Sequence, residues 1–151
     1  MNNNQLENIK ETLKDFKALL PRYKTVEKDI FLLKKFCSRN RNPLFDISQN
    51  AFFETGLKSH NAKSSSKTVK DHYIQRAKAI KLVFEELKKE PQMDTKKFIF
   101  LLKKYCSTVE LTKDEHTKVT QFAKKNPNYI NYESYLACGI EVSGLSELIL
   151  S

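Results

Sequence analysis

The stretch from Thr108 to His116 leaves the backbone little choice. Thr108 and Val109 favour an extended strand, because β-branched side chains are stiff at χ1 and suit a pleated surface, and apolar Leu111 continues it. Thr112 and Glu115 then stand at the spacing of a capping box. The Thr112 hydroxyl accepts from the backbone N–H three residues on, and the Glu115 carboxylate reaches back to the N–H of Thr112. A helix therefore starts at Lys113 and carries His116 in its first turn. An earlier stretch, Ser66 to Tyr73, has the same character: Thr68 and Val69 predict a short strand that ends in Asp71 beside His72.

An acid and two imidazoles at the corners of a strand, a strand and a helix suit phosphodiester hydrolysis. That reaction needs a deprotonated water and a cation to stabilise charge on the phosphate and the departing oxygen. A neutral imidazole takes a proton near pH 7, which suits His72, and a carboxylate with a second imidazole binds one divalent ion, which suits Asp71 and His116. Successive strand residues point to opposite faces, so Asp71 and His72 serve one site only if the strand ends or bends there. For an isolated Asp-His pair the commoner reading is a solvated strand end, and for His116 a surface helix position. The ordered strand, capping box and helix histidine favour the site.

This order resembles the HNH branch of the His-Me finger, or ββα-metal, nucleases, in particular the phage-encoded homing endonuclease-like members. The matching pieces are Asp71-His72-Tyr73, Thr108 to His116 with Lys118-Val119, and the tail from Tyr132 to Gly139-Ile140. The resemblance covers roughly the second half of the chain. It implies a metal-dependent DNA endonuclease with His72 as general base and Asp71 and His116 as ligands of Mg²⁺, or Mn²⁺ in its place. No counterpart of the middle Asn of the HNH pattern is identified, and His116 stands where such members often carry Asn. The implied partner is double-stranded DNA, with a homodimer as a further expectation.

Composition bounds the alternatives. Twenty-seven basic against eighteen acidic residues in 151 give a net charge of +9, which favours a polyanionic partner. A rival reading is a non-catalytic basic helical protein that binds nucleic acid; a third is a module for an acidic protein. Cys37, Cys106 and Cys138 are odd in number and widely spaced, which argues for reduced thiols and against a structural zinc knuckle. No apolar run is long enough for a membrane span, and the start Met1-Asn2-Asn3-Asn4 has no secretory character, so a cytoplasmic location is expected.

The remaining chain reads as helices. Leu6, Ile9, Leu13, Phe16, Leu20 and Tyr23 make one stripe, which Pro21 is expected to end or kink. Val26, Ile30, Leu33 and Cys37, broadened by Leu32 and Phe36, make a second. Asp46 and Ser48 predict a cap before a short helix from Ala51 to Glu54 that stops at Gly56, followed by a polar loop to Ser66. Ala77, Ile80, Val83, Phe84 and Leu87 predict a helix closed by Pro91; Asp94 caps another with Phe98, Leu101, Leu102 and Tyr105 on one face. Lys34, Lys35, Arg39, Arg41, Lys67, Lys70, Arg76 and Lys118 are the candidate DNA contacts, although lysines on such helices are most often simply solvated.

The expected architecture is a mostly helical α+β protein: a two-stranded core with N-terminal helices, a helical insertion between the strands and a C-terminal helix. The expected divisions are an N-terminal helical region over 1–57, a nuclease core over 58–125 with its insertion at about 75–105, and a helical tail over 126–151, forming one compact unit.

Overall fold

The computed structural model describes residues 1–40 and 53–150, and over these the chain is α+β and mostly helical, with seven α-helices and a three-stranded mixed sheet. It divides into two compact units. One takes residues 1–52 and 76–105, the other 53–75 and 106–151. The helical insertion thus belongs with the N-terminal helices, a division different from three successive stretches.

In the helical unit, α1 (Asn3–Val26) is opened by a capping box between Asn2 and Gln5 and buries Ile9, Leu13, Phe16, Leu20 and Tyr23, as the stripe predicts. Of the two expectations for Pro21, an end is not observed: the helix continues through it, with Pro21 exposed and Leu20 and Tyr23 on either side buried. Burial of these neighbours offsets the loss of one backbone hydrogen bond at the proline. In α2 (Ile30–Asn40), capped by Asp29, Leu33, Phe36 and Cys37 are buried, but Ile30 and Leu32 are exposed, so the stripe is narrower than the sequence suggests.

The reason the insertion joins this unit is aromatic packing. Phe84 of α3 (Arg76–Lys89) stacks on Phe16 at 4.7 Å between ring centroids and on Tyr23 at 4.8 Å. Phe98 of α4 (Thr95–Cys106) meets Phe16 edge-on at 5.8 Å. Each helix thereby buries its apolar face on α1 instead of leaving it to solvent. Asp94 caps α4 as expected, its carboxylate accepting from the Lys97 N–H at 2.8 Å.

The second unit is built on the order β1 (Glu54–Lys58), β3 (Thr108–Thr112), β2 (Thr68–His72). β2 and β3 pair antiparallel in unbroken register from Thr68↔Thr112 to His72↔Thr108, and β1 lies parallel to β3 on its other side. β1 corrects the sequence reading, which took Glu54 as the end of a helix and Gly56 as its stop. Gly56 instead has φ +76° inside the strand, where the register with β3 is irregular. An irregular strand can hold a left-handed residue, and glycine does so without strain. The proposed helix start and Asp46-Ser48 cap lie outside the described residues.

The capping box forms as the spacing dictates. The Glu115 N–H donates to the Thr112 hydroxyl at 3.2 Å, and the Thr112 N–H donates to Glu115 Oε1 at 2.9 Å, starting α5 (Lys113–Lys125). Glu115 does more than cap: it is buried, and the Ser59 hydroxyl donates to its Oε1 at 2.5 Å. That bond ties the residue after β1 to the base of α5. Two short helices follow, α6 (Asn131–Ala137) and α7 (Leu145–Leu150), with Gly139 at φ +71° just beyond the first.

Candidate metal centre

The pleat of β2 sorts its residues between two faces. Val69 and Asp71 stand opposite Leu111 and Val109, both fully buried, on the face that meets α5. Thr68 and Lys70 belong to the other face, where the Thr68 hydroxyl donates to Glu110 Oε2 at 3.1 Å and Lys70 pairs with Glu54. His72 follows in that alternation. β2 ends at His72, but the register stays regular through Asp71↔Val109 and His72↔Thr108, so the strand end does not turn the two side chains to one side. His72 Nε2 is buried, and the residue's backbone carbonyl accepts from the Asn131 side-chain amide at 2.7 Å.

On the α5 side, Asp71 meets His116. Asp71 Oδ1 and His116 Nδ1 are 3.0 Å apart, although 45 residues separate them. Asp71 is only 6% exposed, whereas the His116 side chain is 43% exposed. The second carboxylate oxygen, Oδ2, accepts the hydroxyl of Tyr135, itself buried on α6. A carboxylate in the interior is thus given two partners, which is how a buried acid avoids the full cost of leaving water.

Burial pushes the Asp71 carboxyl above its ordinary range, while the Tyr135 hydroxyl and the His116 imidazole oppose that shift. Tyr135 is pushed far above the ordinary tyrosine range, first by burial and then by the adjacent Asp71. Tyr135 is the site residue that sequence reasoning missed. It lies in the tail that carries the resemblance, but tyrosines also occur there at 129 and 132, and no local pattern marks which one reaches Asp71.

Of the candidates for one centre, the structure therefore brings Asp71 and His116 together and puts His72 on the opposite face of β2. Among the described residues no group of three or more His, Cys, Asp or Glu side chains is placed to hold a metal ion. Asp71 Oδ1 and His116 Nδ1 bond to each other, so an ion held by the pair would replace the proton they share. One carboxylate oxygen and one imidazole converge, and Mg²⁺ commonly takes one or two protein ligands and completes its shell with water and phosphate.

The candidate DNA contacts divide between the units. Lys34, Lys35 and Arg39 are exposed on α2, with the Lys35 ammonium 4.5 Å from the centre of the Phe31 ring, and Arg76 opens α3. Lys67 and Lys118 are exposed in the sheet unit, Lys118 two residues beyond His116 on α5. Lys70 is engaged with Glu54, and Arg41 falls outside the described residues. No helix among the described residues is long and apolar enough to cross a membrane. No family model matches the chain, and no curated protein or solved structure is significantly similar to it.

Proposed function

We propose that the chain is a metal-dependent DNA endonuclease whose centre is Asp71 with His116. The observation that carries this reading is the 3.0 Å approach of Asp71 Oδ1 to His116 Nδ1, made by a strand end and the first turn of a capped helix. Asp71 and His116 are the residues that would hold the ion. Bound there, a divalent ion supplies positive charge for the scissile phosphate and lowers the pKa of water.

The chain's own part is positional. Asp71, buried at the end of β2, fixes the orientation of the His116 ring, and α5 fixes the position of its Cα relative to the sheet. The exposed Lys118 adds charge on the same helix, and the net charge of +9 favours approach of a polyanion over the whole chain. The alternation of β2 leaves the His72 side chain outside this centre, and the His72 backbone carbonyl accepts from the Asn131 side-chain amide.

Supercoiled plasmid incubated with the purified chain and Mg²⁺, Mn²⁺ or EDTA tests the proposal. Nicking or linearisation with either metal, abolished by EDTA and by His116→Ala, supports it. Plasmid that is retarded but intact under every condition, with cognate DNA included, would replace it with the reading of a basic nucleic-acid-binding protein.

A further inference from the structure

We propose that Tyr135 determines which divalent ion the centre accepts, by holding one oxygen of Asp71 so that the carboxylate offers only the other. This inference rests on the metal-centre reading above. The Tyr135 hydroxyl donates to Oδ2, while Oδ1 shares a proton with His116 Nδ1 at 3.0 Å, the proton an ion held by both residues would replace.

Tyr135 is not free to yield that oxygen. The residue is 1% exposed, and the start of α6 is fastened at three points to the end of β2 and the residues just after it. The Asn131 amide donates to the His72 carbonyl at 2.7 Å, the Tyr132 N–H to the Tyr73 carbonyl at 2.9 Å, and the Asn131 N–H to Gln75 Oε1 at 3.1 Å. The hydroxyl is thereby placed by the stretch from His72 to Gln75 that directly follows Asp71.

A carboxylate with one oxygen occupied binds metal through a single oxygen. Mg²⁺ accepts this, being small, octahedral and content with water for the remaining positions. Ca²⁺ draws on six to eight oxygens and gains from bidentate carboxylates. A hydroxyl fixed on Oδ2 therefore disfavours Ca²⁺ in particular, and partners of this kind typically change metal affinity by about 10–100-fold.

The test is competition for bound Mn²⁺, followed by electron paramagnetic resonance of the free ion, with Mg²⁺ or Ca²⁺ as competitor. The wild type, Tyr135→Phe and Asp71→Asn are compared without DNA. The expected result is that Tyr135→Phe shifts the Ca²⁺ to Mg²⁺ affinity ratio about tenfold toward Ca²⁺. An unchanged ratio, including an equal loss for every ion, would overturn the inference while leaving the metal centre standing. Loss of Mn²⁺ binding in Asp71→Asn is the result that shows the centre itself; a wild type that binds no Mn²⁺ removes the centre and the inference together.

A second measurement needs no variant. With tyrosine labelled at Cζ, the Tyr135 resonance keeps its hydrogen-bonded position when Mg²⁺ is added. Movement to the position of a free phenol on loading would mean that the ion takes Oδ2, and would overturn the proposal.

Discussion

Asp71 and His116 approach to 3.0 Å because the chain turns from β3 into α5 at Thr112. β2 pairs with β3, so Asp71 stands opposite Val109, and the capping box starts a helix that runs back over that face and returns His116 to the acid. The pair joins a register to a cap.

His116→Ala and Asp71→Asn should each lower metal-dependent cleavage by at least about 100-fold, the order of effect expected when a group that stabilises transition-state charge is removed. His72→Ala should retain cleavage within a few-fold, because His72 occupies the other face of β2. Single-turnover rates on plasmid measure all three. Loss of cleavage in His72→Ala, with unchanged folding, would return the proton-acceptor role to His72.

Thr112→Ala should cost about 1 kcal/mol, the usual worth of a helix N-cap. Glu115→Ala should cost more, about 2–3 kcal/mol, because it also leaves the buried Ser59 hydroxyl without its acceptor. Urea unfolding followed by circular dichroism ranks the two. Equal costs would mean that Glu115 only caps.

Phe84→Ala should destabilise the helical unit by about 3–5 kcal/mol. Its ring stacks on both Phe16 and Tyr23 and meets Phe36 edge-on, so no single neighbour can refill the space. Phe100→Ala, at a position 56% exposed, should stay within about 0.5 kcal/mol. Thermal melts of the two variants make the comparison.

Tyr23, Tyr73 and Tyr135 are almost wholly buried, and burial is the first cause raising each phenol above its ordinary range. In the unfolded chain they ionise near pH 10. Above that pH the unfolded state binds fewer protons than the folded one, so stability falls as pH rises, by about 1.4 kcal/mol per unit for each such tyrosine. Below it these groups are protonated in both states and contribute no slope. Urea midpoints between pH 8 and about 11 should therefore decline only in the upper part of that range, and Tyr23→Phe should soften the decline.

The cap, the two strands around it and most helical stripes were legible in the sequence because each is set by residues within a turn or two. β1 was not. Its pairing with β3 is parallel and joins residues about fifty positions apart, and Gly56 looks like a helix stop when read locally. The grouping of α3 and α4 with α1 was hidden for the same reason: their apolar stripes say that a face is buried, and only the Phe16–Phe84 stack says against what. At the site, Asp71 and His116 carried recognisable chemistry. The separation of His72 from them depended on a register that stays regular to the end of β2, and Tyr135 reached Asp71 through a helix whose docking is tertiary.

The most direct test of the centre is paramagnetic broadening of the histidine side chains by substoichiometric Mn²⁺, read from ¹⁵N-labelled imidazoles. The chain has three histidines, His60, His72 and His116, so the spectrum resolves the question by residue. His116 should broaden first, and Asp71→Asn should prevent it. Broadening of His72 or His60 ahead of His116, or of none of the three, would contradict a centre at Asp71 and His116.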